Sequence, residues 1–337
     1  MPRLDLNEEF RKSRTLGPPR PPLSVDIPFP SEEDIATAER LALRRLVQTF
    51  SPVFFHLNAS GALVEGIGGV PVGGAGRPVL LVGNHQLFGA DTSLLVREFL
   101  LKRRVLVRGL AHPMLVNGQA PGLPYFPRQV DGVDLLDPNA LTKFGGVEVS
   151  PASIFQLLQR NETVLLYPGG ANELVHLKGE AYTLKWSNKT DFIRMAAAFN
   201  AIVVPFGAIG VDDSFTMLLD GKEISDLPYF GLRAKRFASR LPRARASVPE
   251  TFILPIGIPT PPRRVYFLFH QPFDTADINM RNKTECKMAY DKVKGRVEQS
   301  VQRLLSLREE DPFDGYFPRV IYENLFSSQA PSVSAID

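Results

Sequence analysis

Apolar runs at residues 79–82, 105–110, 164–167, 202–206 and 265–269 are interleaved with helix-like runs at 92–103, 153–160, 191–199 and 283–307. Strands separated by helices of about a dozen residues specify an α/β fold, a mostly parallel central sheet flanked by helices. Ligands of such sheets bind beyond the carboxyl ends of the strands. Chemistry is therefore sought first just past residues 82 and 167.

With 337 residues, 44% of them hydrophobic, the chain can bury the core this sheet needs. We expect a single α/β domain over residues 31–325, after an extended Pro/Arg-rich arm (1–30) and before a flexible tail (326–337). A net charge of +3 is too small to point to nucleic acid, and none is expected as a partner. The one cysteine, Cys286, excludes an internal disulfide and a cysteine-rich zinc site. Its polar, helix-like setting argues against a nucleophile, and no metal is expected.

No window reaches the roughly 20 uninterrupted apolar residues of a membrane span. The nearest, 195–211, is broken by Asn200 and Pro205. The opening Met1-Pro2-Arg3-Leu4-Asp5 reads as neither a secretory signal nor a transit peptide, so a soluble or peripherally attached protein is expected. Ser31 and Asp34 form an N-cap with its reciprocal carboxylate, and Ile35, Ala38, Leu41, Leu43, Leu46 and Phe50 follow at roughly helical spacing. This amphipathic helix either docks on the body of the protein or lies on a membrane surface. Gly66-Ile67-Gly68-Gly69-Val70-Pro71 fails as a dinucleotide motif, because Pro71 occupies the third glycine position and no helix follows. It reads as a hairpin-like loop.

Three segments carry candidate chemistry. In the first, a buried strand ends in Asn84-His85, and Asp91 follows six positions later at the start of a helix. Of the five histidines, only His85 has this setting. Histidine suits proton transfer near neutral pH, and a carboxylate on the far ring nitrogen fixes its tautomer and stabilises the imidazolium. On one continuous helix the pair would lie about 120° apart, so the turn containing Gly89 must bend the chain. The alternative is a satisfied core histidine.

The second segment is Tyr167-Pro168-Gly169-Gly170-Ala171-Asn172-Glu173, whose turn suits close substrate approach or oxyanion stabilisation. Glu173 either orients this loop or pairs with Lys178 or Arg194. In the third, Gly145 and Gly146 are candidates to line the same groove, while Ser150 before Pro151 reads as a helix N-cap.

His85-x5-Asp91, Gly145-Gly146-Val147, Tyr167-Pro168-Gly169-Gly170-x-x-Glu173 and Val203-Val204-Pro205-Phe206 resemble, in order, the four blocks of the glycerolipid acyltransferase superfamily. The closer resemblance is to the plant and algal phytyl ester synthase and diacylglycerol acyltransferase-like group, and it runs from about Ser51 to Glu323. It implies acyl transfer from a thioester or lipid donor to a hydroxyl without a covalent enzyme intermediate. His85 and Asp91 would be the catalytic pair, with Asn84, Gly145, Gly146, Gly169, Gly170 and Glu173 around the substrate. Beyond acyl-CoA or acyl carrier protein as co-substrate, no cofactor is implied.

Two departures bear on the acceptor. The superfamily's commoner gap between histidine and aspartate is four residues, against five here. Its frequent third-block arginine is Asn172, and the second block lacks a basic residue to meet a phosphate. Both favour a neutral alcohol, diacylglycerol or phytol. Larger members carry an α/β-hydrolase module, for which there is no room before Ser51, and no Gly-x-Ser-x-Gly elbow occurs.

Residues 231–245 hold six basic residues and no acidic one, with Leu232, Phe237 and Leu241 interleaved. Arg233, Lys235, Arg236 and Arg240 are candidates to contact an anionic bilayer, a lipid-droplet surface or an acyl carrier protein, or simply form a solvated loop. The resemblance alone implies a plastid location, peripheral on the thylakoid or plastoglobule. A non-catalytic lipid-binding or transfer protein, or an acyl hydrolase, remains the alternative on the same scaffold.

Overall fold

The computed structural model describes residues 25–74, 76–118, 129–130, 133–134, 137–239 and 252–333. The chain enters through α1 (Glu32–Ala38), a π-helical turn (Glu39–Leu43) and α2 (Arg44–Phe50), then the strands β1 (Val53–Leu57) and β2 (Leu63–Glu65). The alternating part begins with β3 (Val79–Gly83), α3 (Ala90–Arg103), β4 (Arg108–Ala111) and α4 (Pro113–Val116). A small ribbon of β5 (Gln129–Val130) and β6 (Val133–Asp134) precedes α5 (Pro138–Lys143), β7 (Gly146–Glu148), α6 (Pro151–Gln159) and β8 (Thr163–Leu166). Next come α7 (Ala171–Leu174), α8 (Asp191–Ala198) and β9 (Ile202–Ile209). A side module of β10 (Phe215–Leu219), α9 (Gly221–Asp226), α10 (Phe230–Ala238) and β11 (Ile256–Pro259) follows. The chain closes with β12 (Tyr266–Phe269), β13 (Phe273–Asp274), α11 (Lys283–Glu310) and α12 (Tyr316–Phe326).

The main sheet runs β2-β1-β12-β9-β3-β8-β4-β7, with β13 also on β9. The five strands from β9 to β7 are mutually parallel, and β12 pairs antiparallel to β9. The expected mostly parallel α/β sheet is therefore present. Because strand side chains alternate faces, Leu80, Val82, Val164 and Val203 meet α6, α8 and α11 on one side. Val79, Leu81, Leu165 and Val204 meet α2 and α3 on the other. Both faces are covered, which is why these runs are apolar at every position.

The amphipathic helix after Ser31 docks on the body. Ser31 caps it with Asp34 reciprocating, Ile35 and Phe50 are buried, and Arg97 grips Glu39 with two bonds of 2.6 and 2.7 Å. The hairpin lies earlier than expected: Asn58 and Ala62 close the β1–β2 turn, and the glycine-rich stretch is a loop after β2.

Both ends differ from expectation where they are described. Val25 and Ile27, in the expected arm, are buried in the core beside Leu106 and Val147. In the expected flexible tail, Ala330 and Ser332 are buried. The reason is Arg264, fully buried just before β12, whose guanidinium donates to the carbonyls of Ser51 and Pro331 and pairs with Asp311 at 3.1 Å. Asp311 also accepts from the Tyr266 hydroxyl at 2.7 Å, so the buried pair is fully engaged. Removing one partner of such a pair strands the other charge in the interior. Arg264→Ala is expected to lower the unfolding free energy by about 3–5 kcal/mol, read as the shift in urea midpoint.

Candidate active site

Three adjacent parallel strands, β9, β3 and β8, end at one edge of the sheet, and each is followed at once by part of the site. Asn84 leaves β3 and clamps it to β9: its side-chain amide donates to the Ala208 carbonyl and accepts from the Ala208 N–H, both at 2.8 Å. With both ends used, Asn84 anchors the strand and does not face a substrate as expected.

Beyond His85 the chain reverses within four residues. Phe88 and Gly89 both take left-handed conformations, at φ 61° and 76°. The Gln86 amide oxygen accepts from the Val211 N–H at 2.8 Å, and the Leu87 N–H donates to Asp212 at 2.6 Å. The reversal brings Asp91, in the first turn of α3, beneath the imidazole. His85 Nδ1 lies 3.3 Å from each Asp91 oxygen, and the Asp91 side chain is wholly buried. The helix N-terminus favours that negative charge. At 3.3 Å the contact is longer than a charge-assisted hydrogen bond at its optimum, as unliganded sites often are. His85 Nε2 has no hydrogen-bond partner among the described residues, and the side chain stays 15% exposed. The ring stacks on Tyr167, with centroids 4.0 Å apart and planes within 5°. Burial, and then the Asp91 charge, push the Tyr167 hydroxyl well above the usual phenol range, so it stays neutral.

Glu173 closes the other side. One of its oxygens accepts from the His85 N–H at 2.8 Å and the other from the Lys185 N–H at 2.9 Å. It orients the loop and pairs with neither Lys178, which bonds Glu223, nor Arg194, which donates to the Met280 carbonyl. A Cβ on Gly169 would lie 2.1 Å from the Glu173 carboxyl carbon, so the first glycine makes room for that carboxylate. Gly170, at φ 51° and ψ −131°, adopts a backbone only glycine takes readily. Its N–H is spent on the Tyr167 carbonyl, whereas the N–H groups of Gly169 and Ala171 have no partner among the described residues. Gly145 and Gly146 do not join this groove. They stand at the start of β7, separated from β8 by β4, where a Cβ on Gly145 would strike the Val107 carbonyl at 2.4 Å. Ser150 caps α6 through the Ser153 N–H at 3.0 Å.

A second histidine–carboxylate pair, absent from the sequence reading, supports the first. His176 Nδ1 lies 3.0 Å from the Leu177 carbonyl, and Nε2 faces Asp212 at 3.4 Å, with both side chains buried. Both neighbours are acceptors, an arrangement that favours the doubly protonated ring. Burial opposes that charge, but Asp212 outweighs it and holds His176 above the usual histidine range. Two buried carboxyl groups, Glu173 and Asp212, thus hold successive parts of the loop that presents His85. His176 follows a four-residue helix and Asp212 opens the turn after β9, 36 positions later, a separation with no local signature.

Arg233, Lys235 and Arg236 lie on α10 in the side module, and Arg240 lies outside the described residues. Cys286 is buried, and that burial raises its thiol. No group of three or more His, Cys, Asp or Glu among the described residues is arranged to hold a metal ion.

A parallel α/β sheet whose strand ends present a histidine backed by a buried carboxylate defines a class of fold suited to proton transfer at a bound hydroxyl. The diacylglycerol acyltransferase family matches residues 136–228. Phytyl ester synthase 1, chloroplastic, of Arabidopsis thaliana is 34% identical over 302 residues, which is 87% of this chain and 41% of that protein. Phytyl ester synthase 2, chloroplastic, of the same plant is 32% identical over 86% of this chain and 41% of its own length. The chain thus spans about two fifths of the length of these relatives. It is a relative of the glycerolipid acyltransferases. A solved 1-acyl-sn-glycerophosphate acyltransferase from Thermotoga maritima aligns at TM-score 0.43 and 14% identity, over 80% of this chain and 79% of that one, a likeness too slight to bear on fold or chemistry.

Burial raises the Glu173 carboxyl to about 7, against the two backbone N–H bonds that favour its ionised form. A raised folded-state value means the folded chain keeps the proton where the unfolded chain releases it. This contribution is complete below about pH 4.5 and is lost as pH rises through about 7. The span corresponds to roughly 3 kcal/mol. Glu173→Gln, which also replaces one accepting oxygen with a donor, is expected to cost about 1–3 kcal/mol at pH 5. Urea titrations should show the gap to wild type narrowing by pH 8.

Proposed function

We propose that this chain transfers a fatty acyl group from a thioester or lipid donor to a neutral lipid alcohol, diacylglycerol or phytol. The observation that carries the reading is His85, with Nδ1 against the buried Asp91 carboxylate and Nε2 without a partner among the described residues. Nε2 takes the proton of the alcohol as its oxygen attacks the acyl carbonyl carbon. Asp91 holds Nδ1–H and stabilises the imidazolium. The tetrahedral intermediate expels the thiolate, which recovers the proton from Nε2. One C–O bond forms, one C–S bond breaks, and His85 ends as it began. With an ester donor the leaving group is an alkoxide, and the accounting is otherwise the same.

Kinship with the two phytyl ester synthases supports both the reaction class and an alcohol acceptor. Asn172, where many superfamily members have an arginine, supports a neutral acceptor over a phosphorylated one. The relatives' designation as chloroplastic supports a plastid location, peripheral on the thylakoid or plastoglobule surface. No helix of the described residues is long and apolar enough to cross a membrane.

The test incubates the protein with labelled acyl-CoA or acyl carrier protein and a panel of alcohols, followed by mass spectrometry of the esters. His85→Ala should lower ester formation at least about 100-fold, the scale of general-base catalysis, with its thermal melt unchanged. Full turnover in that variant removes the mechanism. Free fatty acid in place of ester would make the protein an acyl hydrolase, and acyl-chain binding without product a lipid-transfer protein.

A further inference from the structure

The helix α10 is docked with its large apolar side chains outward. Its inward side is small: Gly231 and Ala238 are buried, and Ala234 packs with Ile224 and Ile253. A Cβ on Gly231 would lie 2.2 Å from the Ser225 carbonyl oxygen, so the helix approaches the end of α9 as closely as backbone allows. The outward side carries Phe230, Leu232 and Phe237, exposed by 55%, 56% and 54%, after Tyr229 at 93%. An ordinary surface helix buries such residues and exposes its polar ones.

The charge on this surface is as one-sided as its apolarity. Arg233, Lys235 and Arg236 are exposed, and none makes an ion pair with a described residue. Helix α10 has no acidic residue. Aromatic and aliphatic groups interleaved with cations suit the boundary of an anionic bilayer, where apolar side chains enter the acyl region and cations meet the headgroups. Helix α12 provides the contrast: Phe317, Ile321 and Leu325 are exposed, but its only cation, Arg319, is fully buried. That surface offers no exposed cation to an anionic partner.

We propose that α10 with Tyr229 seats the protein on an anionic lipid bilayer. The side module that carries the seat touches the loop of the candidate site through its first strand. The turn beginning at Asp212, which holds the Leu87 N–H, leads into β10, and Phe215 at its start meets Phe88 edge-on at 5.2 Å. A module seated on the bilayer that also touches the loop presenting His85 would bring that loop towards a source of lipid alcohol. This purpose rests on the acyl-transfer reading, whereas the docking itself is measurable without turnover.

The experiment is co-sedimentation of the full chain with vesicles of phosphatidylcholine alone or mixed with phosphatidylglycerol. Neutralising three cations (Arg233→Gln, Lys235→Gln, Arg236→Gln) should weaken binding to the anionic vesicles about 100-fold, from roughly fivefold per headgroup contact, and leave the neutral vesicles unaffected. Phe230→Ser, Leu232→Ser and Phe237→Ser together should weaken binding to both at least about tenfold, with an unchanged thermal melt. Ile321→Ser on α12 should change neither. Unaltered sedimentation of either triple variant overturns the proposal. So does a wild-type dimer that the serine variants dissociate, or cation-dependent capture of an acidic acyl carrier protein without vesicle binding. If vesicle binding is lost as expected while no ester forms with any alcohol, the docking stands and the acyl-transfer reading falls.

Discussion

The carboxylate of Glu173 occupies the space a side chain on Gly169 would fill, and the site depends on that substitution of one group for another. From there it bridges the His85 N–H, at the end of β3, to the Lys185 N–H beyond the loop that follows β8. Two adjacent parallel strands are thereby fixed to each other past the last hydrogen bonds of the sheet. A buried carboxylate is costly, which is why its pKa rises to about 7 even with two N–H donors. A serine hydroxyl in place of the carboxylate would be less expensive to bury, but could not reach two amides so far apart in sequence.

Asp212 does the same for the next part of the loop. It leaves β9, on the other side of β3, and takes the Leu87 N–H, while His176 balances its charge. The loop bearing His85 is therefore held from both neighbouring strands by acceptors aimed at its backbone. Backbone anchoring leaves the imidazole, among the described residues, with Asp91 as its polar contact and Tyr167 as its stacking partner. A ring held this way keeps its orientation through packing, and Nε2 is not used by any described residue. Preorganisation of this kind is what the proposed role of general base requires.

Much of this was legible in the sequence because it rests on local pattern. Fully apolar runs of four or five residues announced strands buried on both faces, and Ser31 and Ser150 announced helix starts through chemistry confined to three or four residues. His85 with Asp91 was legible for the same reason, since one turn joins them. The failures share the opposite property. Gly145 and Gly146 resemble a second glycine turn in sequence, but their small size answers to Val107 and Leu141 on the far side of β4. Asn84 reads as a polar group offered to a ligand, and only strand pairing reveals that Ala208 uses both ends of it. Buried Arg264 was invisible as a fastener of the C-terminal residues, because its acceptors, on Ser51, Asp311, Ala330 and Pro331, all lie at least 47 positions away in sequence.

The five-residue gap between His85 and Asp91 has a physical meaning beyond its value as a family mark. A continuous helix would carry Asp91 about 120° away from the histidine's face. Two successive left-handed residues, Phe88 and Gly89, reverse the chain instead and start α3 afresh, so that Asp91 falls in its first turn with the helix N-terminus beneath its charge. Gly89 takes this conformation freely, and a Cβ there would sit 3.2 Å from the His85 ring. Phe88 does not: a left-handed non-glycine residue costs about 1–2 kcal/mol. Its ring packs edge-on against Phe215, so part of that cost is met by the first residue of β10. The geometry of the catalytic candidate is in this way tied to the side module, and the residue that strains the loop is also the one that touches the element leading to the exposed helix.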